Sequence, residues 1–484
     1  MANESLIDRE TEAAELRALA DSGERKLALL YGRRRVGKTY LLTHLWDRDR
    51  AFYFTASATS PEINRRALVE EAARWSGEDL RPEDHPTWRS VFRTLFELAP
   101  ERNLVVVLDE FQYLSTDERG LAEVASELNA VWEGRISRTG GLLVVLSGSA
   151  VRIMEGLARG GSPLYGRLDW VRQLRPFDYY DAGRMVPAYS LEDRIRTYAA
   201  FGGIPRYLRP VRDDWPLEEN IVRLLLDPNG EIRLQLETVL RQEEGLRDYA
   251  KYQAILAAVG IKRRRLGEIA ADVGVTLDTA IRRMVDQLVE LGYLEMERNF
   301  GAPRTHAARY RIADPALRFH YGLTLPNESA IAVSGPETVW RERIAEQAFP
   351  RYVGKEVFED VVRQAYVRHR SRRGLPAVEE WGRWEGRDRD RRDTEIDIVA
   401  RLLDGRIMTG SVRFRHRPGD ASTLLEHLDA LTRLADSGAG WAREALATDA
   451  PMLFVSSAGF TESFHEVARD LGRSPWTWTL EDLF

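Results

Sequence analysis

The sequence of 484 residues predicts an α/β protein built on a parallel sheet, followed by a helical segment, a helix-turn-helix module and a second α/β domain. Three observations carry the prediction. A short apolar run, "KLALLY", leads into the glycine-rich "GRRRVGKT" and then the helix-forming "YLLTHLW". Two more apolar runs, "LVVVLDE" and "LLVVLSGS", have the unbroken hydrophobicity of parallel strands buried on both faces. From residue 252 the apolar spacing shifts to the helical period.

The totals narrow the class. Hydrophobic residues make up 44% and charged residues 30%, as in packed soluble proteins. No apolar run reaches the length of about 18 residues that suggests a membrane span. The N-terminal "MANESLIDRE" lacks the apolar core of a secretory signal. The chain has no cysteine, which excludes disulfides, thiolate catalysis and cysteine zinc sites. A cytoplasmic protein is expected. The net charge of −6 leaves nucleic-acid contact to local basic patches. Of 70 basic residues only Lys26, Lys38, Lys251, Lys262 and Lys355 are lysine. A lysine at a chemically demanding position is therefore informative.

The first element is a strand over 26–31, then the loop, then a helix from Tyr40. Gly32, Gly37, Lys38 and Thr39 satisfy G-x-x-x-x-G-K-[ST], the phosphate-loop pattern. Its glycines let the backbone wrap an anion, and successive N–H groups at a helix N-terminus point at phosphate. The expected nucleotide contacts are Gly32, Arg33, Arg34, Arg35, Val36, Gly37, Lys38, Thr39 and Tyr40. Lys38 would reach the β/γ oxygens of ATP and Thr39 would bind Mg²⁺. The next element, 104–108, ends in Asp109 and Glu110. Asp109 would hold the metal and Glu110 would polarise the attacking water. The third strand ends at Ser147 and Ser149, which either sense the γ-phosphate or simply turn the chain, with Ser149 as a helix cap. Beyond it, Arg167 is a candidate γ-phosphate contact, in its own subunit or a neighbour's.

The order "LIDRETEAAEL", "YGRRRVGKTYLL", "LVVVLDEFQYL", "LLVVLSGSAVRIM", "SPLYGR…LRPFDYYDA" and "FGGIPRYL" resembles the archaeal-type P-loop ATPases of the STAND group, related to AAA+ and origin-recognition ATPases. "RYRIADPALRFHYGL" and "GKEVFEDVVRQ…WGRWEG…TEIDIVA" resemble their C-terminal half. The resemblance implies an α/β P-loop NTPase core of AAA+-like, additional-strand type with a parallel sheet, over 1–175. It further implies a helical lid over 176–248, a winged helix-turn-helix over 249–325 and a C-terminal α/β PD-(D/E)XK-like domain over 330–484. The glycines of 201–208 are read as a tight turn between lid helices.

The residues themselves support the last two modules. "YQAILAAVG", "RLGEIAADVG" and "TLDTAIRRMVDQLVELGYL" read as three helices, and "LEMERNFGAPRTHAARYRIAD" as a β-hairpin. Lys262, Arg263, Arg264, Arg265, Arg282, Arg283, Arg298, Arg304 and Arg309 would meet duplex DNA phosphates. The competing reading is a module that binds protein, since Asp278, Asp286 and Glu290 would repel DNA. In the C-terminal domain a helix carries Glu359 near its middle. "TEIDIVARLLDGRIMTGSVRFR" reads as two strands around an Asp-Gly turn. Glu359 and Asp397 match nuclease carboxylates, but Ser411, Val412 and Arg413 stand where Glu-x-Lys belongs. Serine carries no charge for a divalent ion, and arginine does not replace the lysine. A degenerate, non-cutting domain is expected. It would bind DNA through 413–417, with Asp397 as a relic or as an ion-pair partner of that arginine strand. The run 384–395 is read as a solvated loop.

The function expected is an Mg-ATP-binding protein and slow ATPase that uses nucleotide as a conformational switch. Association with DNA, with a protein partner or with further copies of the chain stays open. The alternatives are an ATP-regulated DNA nuclease and a non-catalytic DNA-binding or assembly module.

Overall fold

The computed structural model forms two compact units, Met1–Pro176 and Phe177–Phe484, and describes residues 6–243, 246, 248–303 and 308–484. The first unit runs α1 (Glu10–Asp21), β1 (Arg25–Tyr31), α2 (Lys38–His44), β2 (Ala51–Thr55), α3 (Pro61–Ser76), α4 (Trp88–Glu97), β3 (Leu104–Asp109), α5 (Glu118–Trp132), β4 (Leu142–Gly148), α6 (Val151–Leu157) and β5 (Trp170–Gln173). The strands pair in parallel in the order β2-β3-β4-β1-β5. Strand β4 thus lies between the strand that feeds the glycine loop and the strand that ends in Asp109.

Every residue of β3 and β4 is buried, which explains their unbroken apolar sequence. Alternate side chains serve opposite faces. Leu27, Leu29, Val106 and Val144 pack with Leu68, Phe92 and Leu128 of α3, α4 and α5. Ala28, Leu30, Val105 and Val145 pack with Leu16 of α1 and Leu41 and Leu42 of α2. Helix starts are marked locally: Ser60 caps α3 ahead of Pro61, and Asp117 caps α5.

The second unit continues through helices from α7 (Tyr179–Arg184) and α8 (Leu191–Phe201) through α9 (Pro205–Leu208) and α10 (Leu217–Ile221) to α11 (Glu231–Thr238). A three-helix module follows: α12 (Tyr249–Val259), α13 (Leu266–Val273) and α14 (Thr279–Glu290). Around it, β6 (Arg264–Arg265), β7 (Leu294–Glu297) and β8 (Arg309–Ile312) form an antiparallel sheet in the order β6-β8-β7. Ile281, Val285 and Leu288 are the buried stripe of α14. Arg304 lies outside the described residues.

Short helices α15 (Pro315–Phe319), α16 (Glu328–Ser334), α17 (Pro336–Val339) and α18 (Phe349–Tyr352) lead to α19 (Phe358–His369). Glu359 lies, as expected, inside an unbroken helical run over 349–369, just after the backbone widens to π geometry over Val353–Val357, so it falls in the first α-turn of α19. The C-terminal sheet is mixed, with strands β9 (Val378–Arg387), β10 (Asp393–Leu402), β11 (Ile407–Arg413), β12 (Met452–Ser456) and β13 (Trp476–Trp478) in the order β13-β12-β11-β10-β9. Helices α20 (Ala421–Asp436), α21 (Gly440–Ala445) and α22 (Glu462–Asp470) connect its later strands. The charge run 384–395 is not a loop. Most of it is the end of an antiparallel hairpin, with Trp384 opposite Ile396 and Arg387 opposite Asp393.

Candidate functional site

The loop between β1 and α2 closes tightly on the sheet. Gly32 donates its N–H to the Gly148 carbonyl at 3.3 Å. A Cβ on Gly32 would lie 2.2 Å from the Leu174 carbonyl oxygen, so glycine is required there. Gly37 has φ 95°, and Arg35 has φ 70°, a left-handed conformation that costs a non-glycine residue roughly 1–2 kcal/mol. Backbone strain of this kind collects where a loop must present its N–H groups to a ligand.

Lys38 is buried and sets its Nζ on the carbonyl oxygens of Gly32, at 2.7 Å, and Arg33, at 3.0 Å. Thr39 Oγ1 donates to Asp109 Oδ2 at 2.9 Å, and the Tyr53 hydroxyl donates to the same oxygen. Burial and the neighbouring Asp109 push the Tyr53 phenol far above its ordinary range, so it stays a donor. Asp109 Oδ1 accepts the Glu110 N–H at 3.0 Å. Arg34 donates to the Tyr113 hydroxyl, Val36 is buried, and the exposed Tyr40 stacks on His44 with ring centres 4.0 Å apart.

At the end of β4 the Ser147 hydroxyl is buried without a hydrogen-bond partner. Ser149 does not cap α6, whose cap position is Ala150. Its Oγ and N–H both go to Glu110 Oε2, at 2.7 and 3.1 Å.

Arg167 is not brought to this end of the sheet. Strand β5 pairs Trp170 with Ala28 and Gln173 with Tyr31, so Arg167 precedes the opposite end. Its guanidinium pairs there with Glu133, just past α5, at 2.5 Å. The strand length between the two ends, about 13 Å at roughly 3.3 Å per residue, keeps it from a phosphate held by its own loop.

The sequence reading missed Arg9 and Gln112. Arg9 starts α1 and donates to the carbonyls of Val36, at 3.2 Å, and Arg175, at 2.7 Å, bracing the loop from behind. Gln112 donates to Glu110 Oε2 at 2.5 Å. Its only signal in sequence was its place two residues after Glu110.

These residues fit a magnesium–triphosphate group. The cradle has no room for a Cβ at Gly32, a buried ammonium rests on the loop's own carbonyls, a hydroxyl and a carboxylate already face each other, and an orphaned hydroxyl lies at the neighbouring strand end.

Three of the basic residues of the three-helix module, Arg263, Arg264 and Arg309, pair with acids. Arg263 is buried among Glu297, at 2.8 Å, Glu356, at 2.7 Å, and Glu359, at 3.6 Å. Arg264 pairs with Asp272 and Arg309 with Glu385. The hairpin between β7 and β8 is docked on the C-terminal sheet. Phe300 N–H donates to the Arg383 carbonyl at 2.8 Å, Asn299 bonds the backbone of Glu385, and the buried Phe300 ring meets Trp441 edge-on at 6.0 Å. Lys262, Arg265, Arg282, Arg283 and Arg298 remain exposed.

In the C-terminal sheet, carboxylate oxygens of Glu359, Glu395 and Asp397 lie within 4.8 Å of one another. Glu395 joins the two acids named from sequence. Cations of the chain itself already face this group: Arg383 pairs with Glu395 and approaches Glu359 to 3.6 Å, where Arg263 also stands. Asp397 is not an ion-pair partner of the arginine strand, because its Oδ2 accepts from the Ser411 hydroxyl, at 3.0 Å, and the Val412 N–H, at 2.8 Å. Burial pushes Glu359 up to about 8, against the pull of Arg383 and with a further push from Asp397. Its neighbour Asp360 is buried too, yet Arg311 binds it through two hydrogen bonds and holds it far below the usual range. A cleft whose charge is met by guanidinium groups, and whose second strand offers serine, does not fit a divalent ion.

Residues 6–211 match the family model of an ATPase domain predominantly from Archaea. Residues 320–423 match a family of archaeal and bacterial proteins of unknown function. An uncharacterized protein of Methanocaldococcus jannaschii is 24% identical over 399 residues, 81% of this chain and 84% of that protein. A Walker-type ATPase of Pyrococcus abyssi aligns over 66% of this chain and 97% of its own, with 22% identity and a TM-score of 0.49. The Aeropyrum pernix ORC2 protein aligns over 68% and 96%, with 15% identity and a TM-score of 0.43. By the family match, residues 6–211 carry the pattern of an archaeal-type ATPase domain, which supports ATP binding at the loop. Among the described residues no helix is long and apolar enough to cross a membrane.

Proposed function

We propose that the protein binds Mg-ATP at residues 32–39, hydrolyses it slowly and uses the nucleotide as a conformational switch. The observation that carries this reading is the direct bond between Thr39 and Asp109, beside Lys38 and Glu110. Loop N–H groups and the Lys38 ammonium neutralise the phosphate oxygens, and Lys38 gives up the carbonyls of Gly32 and Arg33 to do so. Thr39 and Asp109 would hold the magnesium ion, which would supply positive charge to the triphosphate. Glu110 orients water and takes its proton. Arg9 keeps the loop seated while these exchanges occur.

Lys38→Ala should abolish saturable binding of a fluorescent ATP analogue with magnesium. Glu110→Gln should keep binding and lose turnover by about 10²–10⁴-fold, the usual contribution of a positioned base. Wild-type protein with no affinity for Mg-ATP sinks the reading.

The second unit is read as a helical lid, a winged helix and a PD-(D/E)XK-like scaffold that does not cut. The paired state of Arg263, Arg264 and Arg309 weakens the case for a broad DNA-binding patch. Duplex contact would fall to Lys262, Arg265, Arg282, Arg283 and Arg298, as phosphate contacts without base readout. Binding that is unchanged in Arg282→Ala/Arg283→Ala, across a salt series, would rule this contact out.

A further inference from the structure

Glu110 does not hang free at the end of β3. Its φ of 52° places it in the left-handed region and turns it out of the strand direction. Three donors then gather on one of its two carboxylate oxygens. Oε2 accepts from Gln112 Nε2 at 2.5 Å, Ser149 Oγ at 2.7 Å and Ser149 N–H at 3.1 Å. Gln112 and Ser149 are 5% and 7% exposed, so water does not compete for these bonds. Gln112 Nε2 also reaches Ser149 Oγ at 3.3 Å, which ties the two donors to each other.

The backbone keeps this arrangement next to the phosphate loop. Gly148, one residue before Ser149, takes the N–H of Gly32. A Cβ on Gly148 would come within 2.4 Å of Gln112 Oε1, so the strand end is shaped around the glutamine. That buried Oε1 has no hydrogen-bond partner, which leaves the amide nitrogen as the working end of Gln112.

We propose that Gln112 and Ser149 are positioning residues for hydrolysis, binding Glu110 through Oε2 so that Oε1 is the oxygen that takes the proton of the attacking water. The inference rests on the ATPase reading. In the step, the water oxygen bonds to the γ-phosphorus, and the bond from that phosphorus to the β,γ-bridging oxygen breaks. The electron pair stays on ADP. One water proton passes to Oε1 and on to solvent, and the other leaves on the phosphate product. A carboxylate free to rotate would spend part of its time with neither oxygen in line.

The test uses the full chain and compares wild type with Ser149→Ala, Ser149→Thr, Gln112→Ala and each alanine variant combined with Glu110→Gln. Steady-state ATP hydrolysis gives kcat, and titration with a non-hydrolysable ATP analogue and magnesium gives affinity. The alanine variants should lose about 10-fold or more in kcat, part of what a general base contributes. Affinity should stay within about 2-fold, because the bonds Ser149 and Gln112 make here go to Glu110 and to each other, and Ser149→Thr should keep most of the rate. In the Glu110→Gln background the alanine substitutions should cost nothing further, as expected for residues that act through one group. Alanine variants that turn over at the wild-type rate or faster overturn the proposal and would mean that the contacts restrain Glu110. Equal losses in the Glu110→Gln background, or affinity falling with kcat, also overturn it and leave a structural role. Wild type that binds Mg-ATP but shows no Glu110-dependent turnover sinks the hydrolysis reading itself, and the inference with it.

Discussion

Arg311→Met tests the buried ionic joint between the three-helix module and the C-terminal domain. Arg311 sits on β8 with its side chain 5% exposed. It meets Asp360 at 2.7 and 2.8 Å, Glu295 at 2.8 Å and Glu297 at 2.5 Å. Methionine keeps the apolar stem and removes the charge. Asp360 then stays buried with Arg318 and Arg363, at 3.8 and 3.9 Å, neither within hydrogen-bond reach. Breaking one partner of a buried pair costs about 3–5 kcal/mol, since the charge left behind is uncompensated. The assay is urea denaturation at pH 7, with hydrogen exchange of the β7 and β8 amides to localise the opening. Pairing holds Asp360 below its ordinary value, so the stability it provides is present above about pH 4 and fades as the pH falls below that. The gap between wild type and variant should therefore narrow in acid. Adding Asp360→Asn should restore part of the loss. A change under about 1 kcal/mol at pH 7, or strict additivity in the double variant, would refute the claim that the joint is held by this pair.

Four other outcomes are expected. Phe300→Ala empties a site packed on Trp441, costs about 3–5 kcal/mol, and should expose the β7–β8 hairpin to limited proteolysis. His427 is fully buried against Phe454, with Arg413 and Arg473 nearby, and burial followed by these arginines lowers its pKa to about 3. The unfolded chain takes up a proton below pH 6.5 that the folded ring refuses, so stability is intact above that pH and about 2 kcal/mol lower by pH 5; His427→Gln should flatten that slope in calorimetric scans. Wild type should leave plasmid DNA intact with Mg²⁺ or Mn²⁺. Arg383→Met should destabilise the C-terminal domain at neutral pH, because it strips Glu395 of its close cation, and a melting temperature equal to wild type would count against that.

The parallel sheet was legible because strands buried on both faces have to be apolar throughout, as 104–108 and 142–146 are. The glycine loop was legible because its backbone demands particular residues at particular spacings. Strand β9 was not, because an edge strand that alternates charge and aromatic residues looks like a solvated run. The distance of Arg167 from its own loop was hidden because an arginine beyond the core strands does not reveal which end of the sheet it adjoins. The pairing of Arg263 and Arg309 was hidden for a different reason: sequence displays charge sign, while the partners Glu356 and Glu385 lie 93 and 76 positions away. Gln112 escaped because nothing in its neighbourhood marks an amide as a donor to one chosen carboxylate oxygen.

The docked hairpin sets an entry condition on whatever the three-helix module recognises. With Phe300 seated on Trp441, a ligand that needs the hairpin must first prise it loose. A seat worth about 3–5 kcal/mol lowers apparent affinity by roughly 10²–10⁴-fold. The relation also runs backwards, since a ligand that captures the released hairpin weakens the grip of the C-terminal sheet by the same factor.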